Sequence, residues 1–280
     1  MPGGARLTSW LFPINFLFLC FSLTVNAADT QVLKIGGTGS AMATLRLLIN
    51  DFNRQNKDIR VEIPPSLGTQ GGMLALQDGA IDLAIVGQPI QLQGQQSDII
   101  YRSYAKTAIA FVADPNTPVK TLSEHELADI FTGNTGNWPN GTFIRLVMRS
   151  LTESDFVPVI EYSQVLREAL TAASRRKDIV TSATVQENAR ILLTLPGSFG
   201  ISSLAQIRSE HLALKIIAYE DVQPTLYNLQ NGSYPFYKTF ALVYPKQKFS
   251  GALKLFVDYV FSTKACEILA ENGQLCINDN

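Results

Sequence analysis

The chain has few of the residues on which most metal and redox sites depend. Of its 280 residues, three are cysteine and two are histidine. His125 and His211 are far apart and lack the spacing of a zinc site, so we predict neither a metal nor a cofactor. Charged residues make up 17% of the chain and the net charge is −1. Because the chain has no basic excess, we expect neither a groove that binds nucleic acid nor a surface that binds an anionic membrane.

Signatures of catalysis are also missing. Residues 36–40 match neither the dinucleotide-binding fingerprint nor a P-loop, and the chain contains no GxSxG or HExxH motif. His125 stands between Glu124 and Glu126 in a predicted helix, which is typical of an exposed surface histidine. We therefore predict a binding protein rather than an enzyme. Measured turnover of phosphate esters would instead support the hypothesis that the protein is a hydrolase.

A long apolar run occurs only at the N-terminus. Arg6 is the only charged residue before Asp29, and residues 10–25 read WLFPINFLFLCFSLTV. We predict that residues 1–27 form a secretory signal peptide, cleaved after Ala27 or Ala28, and that the product is soluble in the periplasm. The alternative is an uncleaved N-terminal anchor.

Two cysteines, Cys266 and Cys276, lie close together near the C-terminus. In an oxidising compartment such a pair is typical of a local disulfide. Two buried free thiols are the alternative, and the sequence leaves both open.

Strand and helix patterns alternate along the chain. Strands are predicted at residues 31–36 and 59–63, each followed by a Gly-rich turn and a helix, which favours an α/β fold with parallel strands. Further alternation follows, with a strand predicted at residues 108–113 and a long strand after Gly232. We predict two lobes joined by these strands: residues 28–110 plus 236–280 as lobe 1, and residues 111–235 as lobe 2.

Three segments place polar or glycine residues between a strand and a helix: residues 38–42, 68–72 and 149–155. Helix N-termini offer unpaired N–H groups, and the Arg149 guanidinium adds a forked donor, so together they would cradle an anion. For any one of these segments, the alternative to anion binding is a turn that the chain needs only for its geometry. Glu153 and Asp155 are interpreted as carboxylates that cap a helix rather than as an acid–base pair.

A series of motifs between residues 32 and 277 resembles one family. In order they read KIGGTGS, PPSLGTQGGMLAL with GAIDLAIVGQP, DIFTGNTGNW, IRLVMRSLTESD, LPGSFGISSL and NGSYPFYKTFALVY. The chain resembles PstS-like substrate-binding proteins of phosphate ABC transporters, which are class II periplasmic binding proteins. The resemblance implies a two-lobed α/β fold with a ligand cleft at the hinge, and a monomer that delivers inorganic phosphate to a membrane permease.

The resemblance also implies a set of ligand-binding residues. They are Thr38, Ser40, Ala41, Met42, Thr69, Gln70, Gly71, Gly87, Gln88, Arg149 and Ser154. The family's aspartate, which accepts a proton from the ligand, is replaced by Gly87, and Asp155 would repel an anion unless the ligand is protonated or the side chain faces away. Another small oxyanion therefore stays an alternative, as does an exported signalling or adhesion protein that keeps the fold.

Overall fold

The computed structural model describes residues 1, 3, 4, 30–87 and 98–277. Nearly all of the predicted signal peptide, residues 1–27, lies outside these residues, as does Gln88. The strands are β1 (Gln31–Gly37), β2 (Ile59–Glu62), β3 (Leu83–Val86), β4 (Ile99–Ala113), β5 (Thr121–Leu122), β6 (Arg145–Met148), β7 (Val180–Thr181), β8 (Ser198–Ser203), β9 (Lys215–Tyr219), β10 (Tyr237–Pro245) and β11 (Leu275–Cys276). The helices are α1 (Gly39–Gln55), α2 (Gly68–Gln77), α3 (Glu124–Thr132), α4 (Val157–Tyr162), α5 (Gln164–Ala173), α6 (Val185–Thr194), α7 (Leu204–Ser209), α8 (Leu226–Gln230), α9 (Gly251–Val260) and α10 (Thr263–Glu271).

The strands form a continuous mixed sheet in the order β2-β1-β3-β10-β4-β8-β6-β7. Its two ends are parallel: β1 pairs with β2 and β3, and β6 pairs with β7 and β8. In the middle, β10 and β4 run antiparallel to their neighbours. Each parallel end therefore has the strand–helix alternation that the sequence predicts, and the antiparallel strands join the two ends.

Strand β4 is the longest of these connections. Its first part, up to Ala108, pairs with β10, whereas its last part, from Ile109 to Ala113, pairs with β8 and β9. The same strand thus contributes to both ends of the sheet. It begins nine residues before the strand predicted at residues 108–113, because alternating polar residues in its first part obscure the apolar pattern.

The hydrophobic core divides in the same way. One large cluster surrounds Phe52, Phe240 and Phe256, and another surrounds Phe111 and Phe199. Two smaller clusters, one with Met73 and the other with Val112, complete the core of the described residues. Two large clusters on one sheet are the packing expected of two lobes. The exact limits of the lobes, residues 28–110 plus 236–280 and residues 111–235, stay a prediction.

Several helices begin where the sequence places a capping residue. Ser123 accepts a hydrogen bond from the Glu126 N–H, and the Glu126 side chain accepts one from the Ser123 N–H, which completes a capping box at α3. Ser163 and Thr184 cap α5 and α6 through their side chains. These caps fix where α3, α5 and α6 begin.

The Gly-rich segments near β1 serve close packing. Gly37 has a φ of +137°, and a Cβ there would lie 2.0 Å from the Ile85 carbonyl oxygen. A Cβ on Gly72 would lie 2.8 Å from the Gly37 Cα. The prediction of a turn at residues 68–72 is wrong, because α2 begins at Gly68 and these glycines form its first turns against β1.

At the C-terminus, a disulfide joins Cys266 in α10 to Cys276 in β11, with Cα atoms 5.4 Å apart. Strand β11 pairs with β4, so the disulfide ties α10 to the edge of the sheet. Within the part of the chain that the structure describes, no helix combines the length and apolar character needed to span a bilayer.

Replacing both cysteines, Cys266→Ser with Cys276→Ser, should lower the free energy of unfolding by about 2–3 kcal/mol, because the short closed loop no longer restricts the unfolded chain. Urea unfolding of the wild type and the variant, each with and without reductant, measures the difference. Reductant should destabilise the wild type alone. Equal midpoints for all four samples would contradict the stabilising role.

Candidate functional site

The candidate site lies where three parallel strands end. Ser40 belongs to the first turn of α1, just after β1; Gly87 directly follows β3; and Arg149 directly follows β6. The carboxyl ends of parallel strands and the helix N-termini beside them are where α/β proteins bind ligands. The two lobes therefore both contribute to this place.

Lys238, in β10, lies at the centre of the site. Its side chain is 1% exposed. Its ammonium donates hydrogen bonds to the Ser40 hydroxyl at 2.7 Å, to the Ser154 hydroxyl at 3.3 Å and to the Asp155 carboxylate. Ser40, Arg149, Ser154, Asp155 and Lys238 are called the ion cluster below.

Arg149 is the second cation of the ion cluster. One terminal nitrogen, Nη1, lies 3.6 Å from Asp155, and the other, Nη2, lies 3.0 Å from Glu153 and 3.4 Å from the Ala183 carbonyl oxygen. The third nitrogen, Nε, is buried and has no hydrogen-bond partner among the described residues. A buried donor without a partner is costly, so Nε indicates where a further acceptor would bind.

The electrostatics of the site are closely balanced. Two cations, Lys238 and Arg149, face two carboxylates, Asp155 and Glu153. Burial lowers the pKa of Lys238, because the ammonium loses its water, and the neighbouring Asp155 opposes that shift. Asp155 is thus the group that lets a cation remain in this buried position.

Contacts across the site hold the lobes together. Lys238 bridges Ser40 to Ser154 and Asp155, and the Gln186 amide donates to the Gly39 carbonyl oxygen at 3.3 Å. A Cβ on Gly87 would lie only 2.9 Å from the Ser154 hydroxyl oxygen. The structure is therefore a closed arrangement, in which the loop after β6 contacts the end of β3.

Five of the residues predicted from the sequence meet here. Thr38 is buried with its hydroxyl 3.2 Å from that of Ser40, and Gly87, Arg149 and Ser154 complete the group. Their meeting supports the sequence-based assignment, which stays a prediction until a ligand is measured.

The other predicted residues lie further out. The side chains of Ala41 and Met42 are in the hydrophobic core, and the Ala41 N–H donates to the Thr38 carbonyl oxygen. Thr69 accepts a hydrogen bond from the Gly87 N–H at 3.2 Å, so it positions Gly87. Gln70 is exposed in α2, and no described hydrogen bond joins it or Gly71 to the ion cluster.

Two members of the ion cluster were not predicted as ligand-binding residues: Lys238 and Asp155. The available signal for Lys238 was a lone charge within the apolar strand pattern YKTFALVY, since a lysine buried in a strand needs a partner. The helix-capping interpretation of Asp155 is wrong, because Phe156 stands at the N-cap position of α4 and Asp155 pairs with Lys238 and Arg149 instead.

A cavity of about 440 Å³ adjoins the ion cluster between the lobes. Its lining includes Gly87, Ser154 and Lys238, together with Tyr162 and Tyr237. Among the described residues, no three His, Cys, Asp or Glu side chains are grouped to hold a metal ion. The ion cluster beside this cavity gathers hydroxyl, ammonium and guanidinium groups, a combination that suits oxyanion binding.

Lys238→Met should lower the free energy of unfolding by on the order of 3 kcal/mol, because it leaves the Asp155 carboxylate buried with only part of its pairing. The double variant Lys238→Met/Asp155→Leu should recover most of that loss, since it removes both charges. Urea unfolding measures both. Lys254→Met, a control at an exposed ion pair, should change stability by about 0.5 kcal/mol or less. A double variant as unstable as the single one would contradict the pairing.

Comparison with known protein families gives one match that spans most of the chain. The model described as a PBP superfamily domain matches residues 24–264. A curated relative, the phosphate-binding protein PstS of Bacillus subtilis, is 23% identical over 259 residues, which cover 88% of this chain and 81% of the relative. The PstS protein of Borreliella burgdorferi is 20% identical and covers 90% and 92%.

Solved structures show the same fold. A Clostridium perfringens protein assigned as a phosphate ABC transporter substrate-binding protein, solved with bound phosphate, aligns with a TM-score of 0.77 and 19% identity over 89% of this chain and all of that one. An ABC-type phosphate transport receptor from Vibrio cholerae aligns with a TM-score of 0.64 and 17% identity, and covers 87% and 99%. The predicted two-lobed α/β fold and the resemblance to PstS-like proteins are confirmed.

Proposed function

The chain belongs to the PBP superfamily, and on that premise we propose that it captures phosphate, or a similar small oxyanion, between its two lobes. The ion cluster is the binding site. Curated relatives that align along most of the chain are named phosphate-binding proteins, and a structural neighbour carries bound phosphate. These names support phosphate as the first ligand to measure.

The observation that carries the proposal is the unpartnered Nε of Arg149. The Arg149 side chain is 8% exposed, so water does not readily satisfy this donor. The hydroxyls of Ser40 and Ser154 accept from the Lys238 ammonium and can donate to a ligand, and the ammonium adds a positive charge nearby. A tetrahedral oxyanion presents several acceptors at once, and a charge-assisted hydrogen bond from a guanidinium is among the strong ones.

Closure of the lobes is the binding step. Ser40 comes from one end of the sheet, and Arg149 and Ser154 come from the other. A ligand held by all three links the two ends and favours the closed arrangement over an open one. The function is thus capture and release rather than chemical conversion.

Export and delivery complete the proposal. The predicted signal peptide at residues 1–27 would bring the protein to the periplasm, and a disulfide between Cys266 and Cys276 suits that oxidising compartment. There the loaded monomer would hand its ligand to an ABC transporter permease, which is its only contact with the membrane. The balanced net charge of −1 gives no reason to expect nucleic acid as a partner.

Arg149→Ala should weaken phosphate binding by at least about 100-fold, because it removes the guanidinium of the ion cluster, whose Nε has no partner among the described residues. Isothermal titration of the mature protein, refolded so that no anion co-purifies, measures the dissociation constant. The circular dichroism spectrum should not change.

Arg190→Ala is the matched control, because Arg190 is an exposed arginine of α6 in the same lobe. It should bind phosphate like the wild type. Wild-type protein that binds phosphate with Arg149→Ala unaffected would move the site elsewhere. Wild-type protein that binds no oxyanion would overturn the proposed function.

A further inference from the structure

The cavity beside the ion cluster is larger than a bare oxyanion needs. Its volume is about 440 Å³, which lies within the range of roughly 300–1,000 Å³ that is usual for small-molecule pockets. An inorganic oxyanion takes the space of only a few water molecules, at about 30 Å³ each. With such an anion at the ion cluster, most of the cavity would still be empty of ligand, so its size indicates a ligand that also has an organic part.

One wall of the cavity is the segment that runs from Ser154 through α4. Ser154, a member of the ion cluster, lies at the start of this wall, and Glu161 lies near its end. At roughly 1.5 Å per residue along a helical segment, these two residues are about 10 Å apart. The lining residues of α4 recur at helical spacing and therefore share one face: Val157, Pro158, Glu161 and Tyr162.

Glu161 places a carboxylate without a partner at this end of the cavity. Its side chain is exposed, and it makes no ion pair or hydrogen bond with another described residue. A negative charge beside a site for an anion weakens the binding of a bare anion. The same carboxylate strengthens binding when the ligand carries a positive charge at this end.

Two tyrosines give the cavity an aromatic surface. Tyr162 is 57% exposed and packs edge to face with Phe236, with 5.1 Å between the ring centroids. Tyr237 is 45% exposed, and the Lys106 ammonium lies 5.4 Å from its ring centroid. Aromatic side chains are common in the lining of ligand pockets, and the faces of their rings attract cations. Because Tyr237 already has a cation near its ring, Tyr162 is the aromatic side chain left for a cation of the ligand.

We propose that the ligand is a phosphate monoester of a small amino alcohol, whose phosphate binds at the ion cluster and whose ammonium binds at Glu161 and Tyr162. This inference rests on the proposed function, because it keeps the oxyanion at the ion cluster. Phosphoethanolamine, the simplest such ester, extends about 5 Å from phosphorus to nitrogen. With a contact of about 3 Å at either end, it bridges the roughly 10 Å between Ser154 and Glu161.

Isothermal titration of the mature protein, refolded so that no anion co-purifies, tests the inference with three compounds. They are phosphoethanolamine, 2-hydroxyethyl phosphate and inorganic phosphate. The second compound matches the first in length but has a hydroxyl in place of the ammonium. Phosphoethanolamine should bind at least about tenfold more tightly than either of the others, because it alone pairs with Glu161 and Tyr162. Equal binding of phosphoethanolamine and 2-hydroxyethyl phosphate would overturn the inference.

Glu161→Gln removes the charge and keeps the size of the side chain. It should reduce the preference for phosphoethanolamine over 2-hydroxyethyl phosphate at least about threefold, and it should not weaken the binding of inorganic phosphate. Glu168→Gln is the matched control, because Glu168 is an exposed glutamate of α5 in the same lobe and does not line the cavity. It should keep the full preference. A Glu161→Gln variant that also keeps it would contradict the role of Glu161.

The outcomes separate this inference from the proposed function. If the wild type binds inorganic phosphate as tightly as phosphoethanolamine, the amino-alcohol ester is overturned and oxyanion capture stands. If it binds phosphoethanolamine and inorganic phosphate is much weaker, both are supported. If it binds none of the three compounds, oxyanion capture fails and this inference fails with it.

Discussion

The buried ammonium of Lys238 holds together the two ends of the molecule. It contacts Ser40 from the first lobe and both Ser154 and Asp155 from the second, in a place with almost no access to water. A buried charge is tolerated only when it is paired and hydrogen-bonded, so these partners are required by the cation. The approach of the lobes, the inward position of Asp155 and the orientation of the donors all depend on it.

Much of the fold follows from local patterns in the sequence. The alternation of apolar strands with capped helices predicts parallel pairing at both ends of the sheet, and the capping residues Ser123, Ser163 and Thr184 stand at the helix starts. The short strands β5 and β7 have no such pattern, because two residues are too few to show one. They pair only where the fold places a strand beside them. The start of α2 was misplaced because close packing against Gly37 outweighs the low helix propensity of glycine.

The site was predictable only in part. Arg149 and Ser154 stand in a motif, and Ser40 follows a strand, so sequence position alone places them at strand ends. Lys238 is about 90 residues further along, and only the tertiary fold brings β10 against both loops. The sequence indicates that a lysine in such a strand needs a partner, but not that the partner is Asp155, a residue whose neighbours favour a helix cap.

A carboxylate inside a site that binds an anion weakens that binding. Asp155 pairs with Lys238 and Arg149 before any ligand binds, so a ligand gains only the hydrogen bonds that these two cations have not yet made. The Nε of Arg149, which has no partner among the described residues, can make such a hydrogen bond.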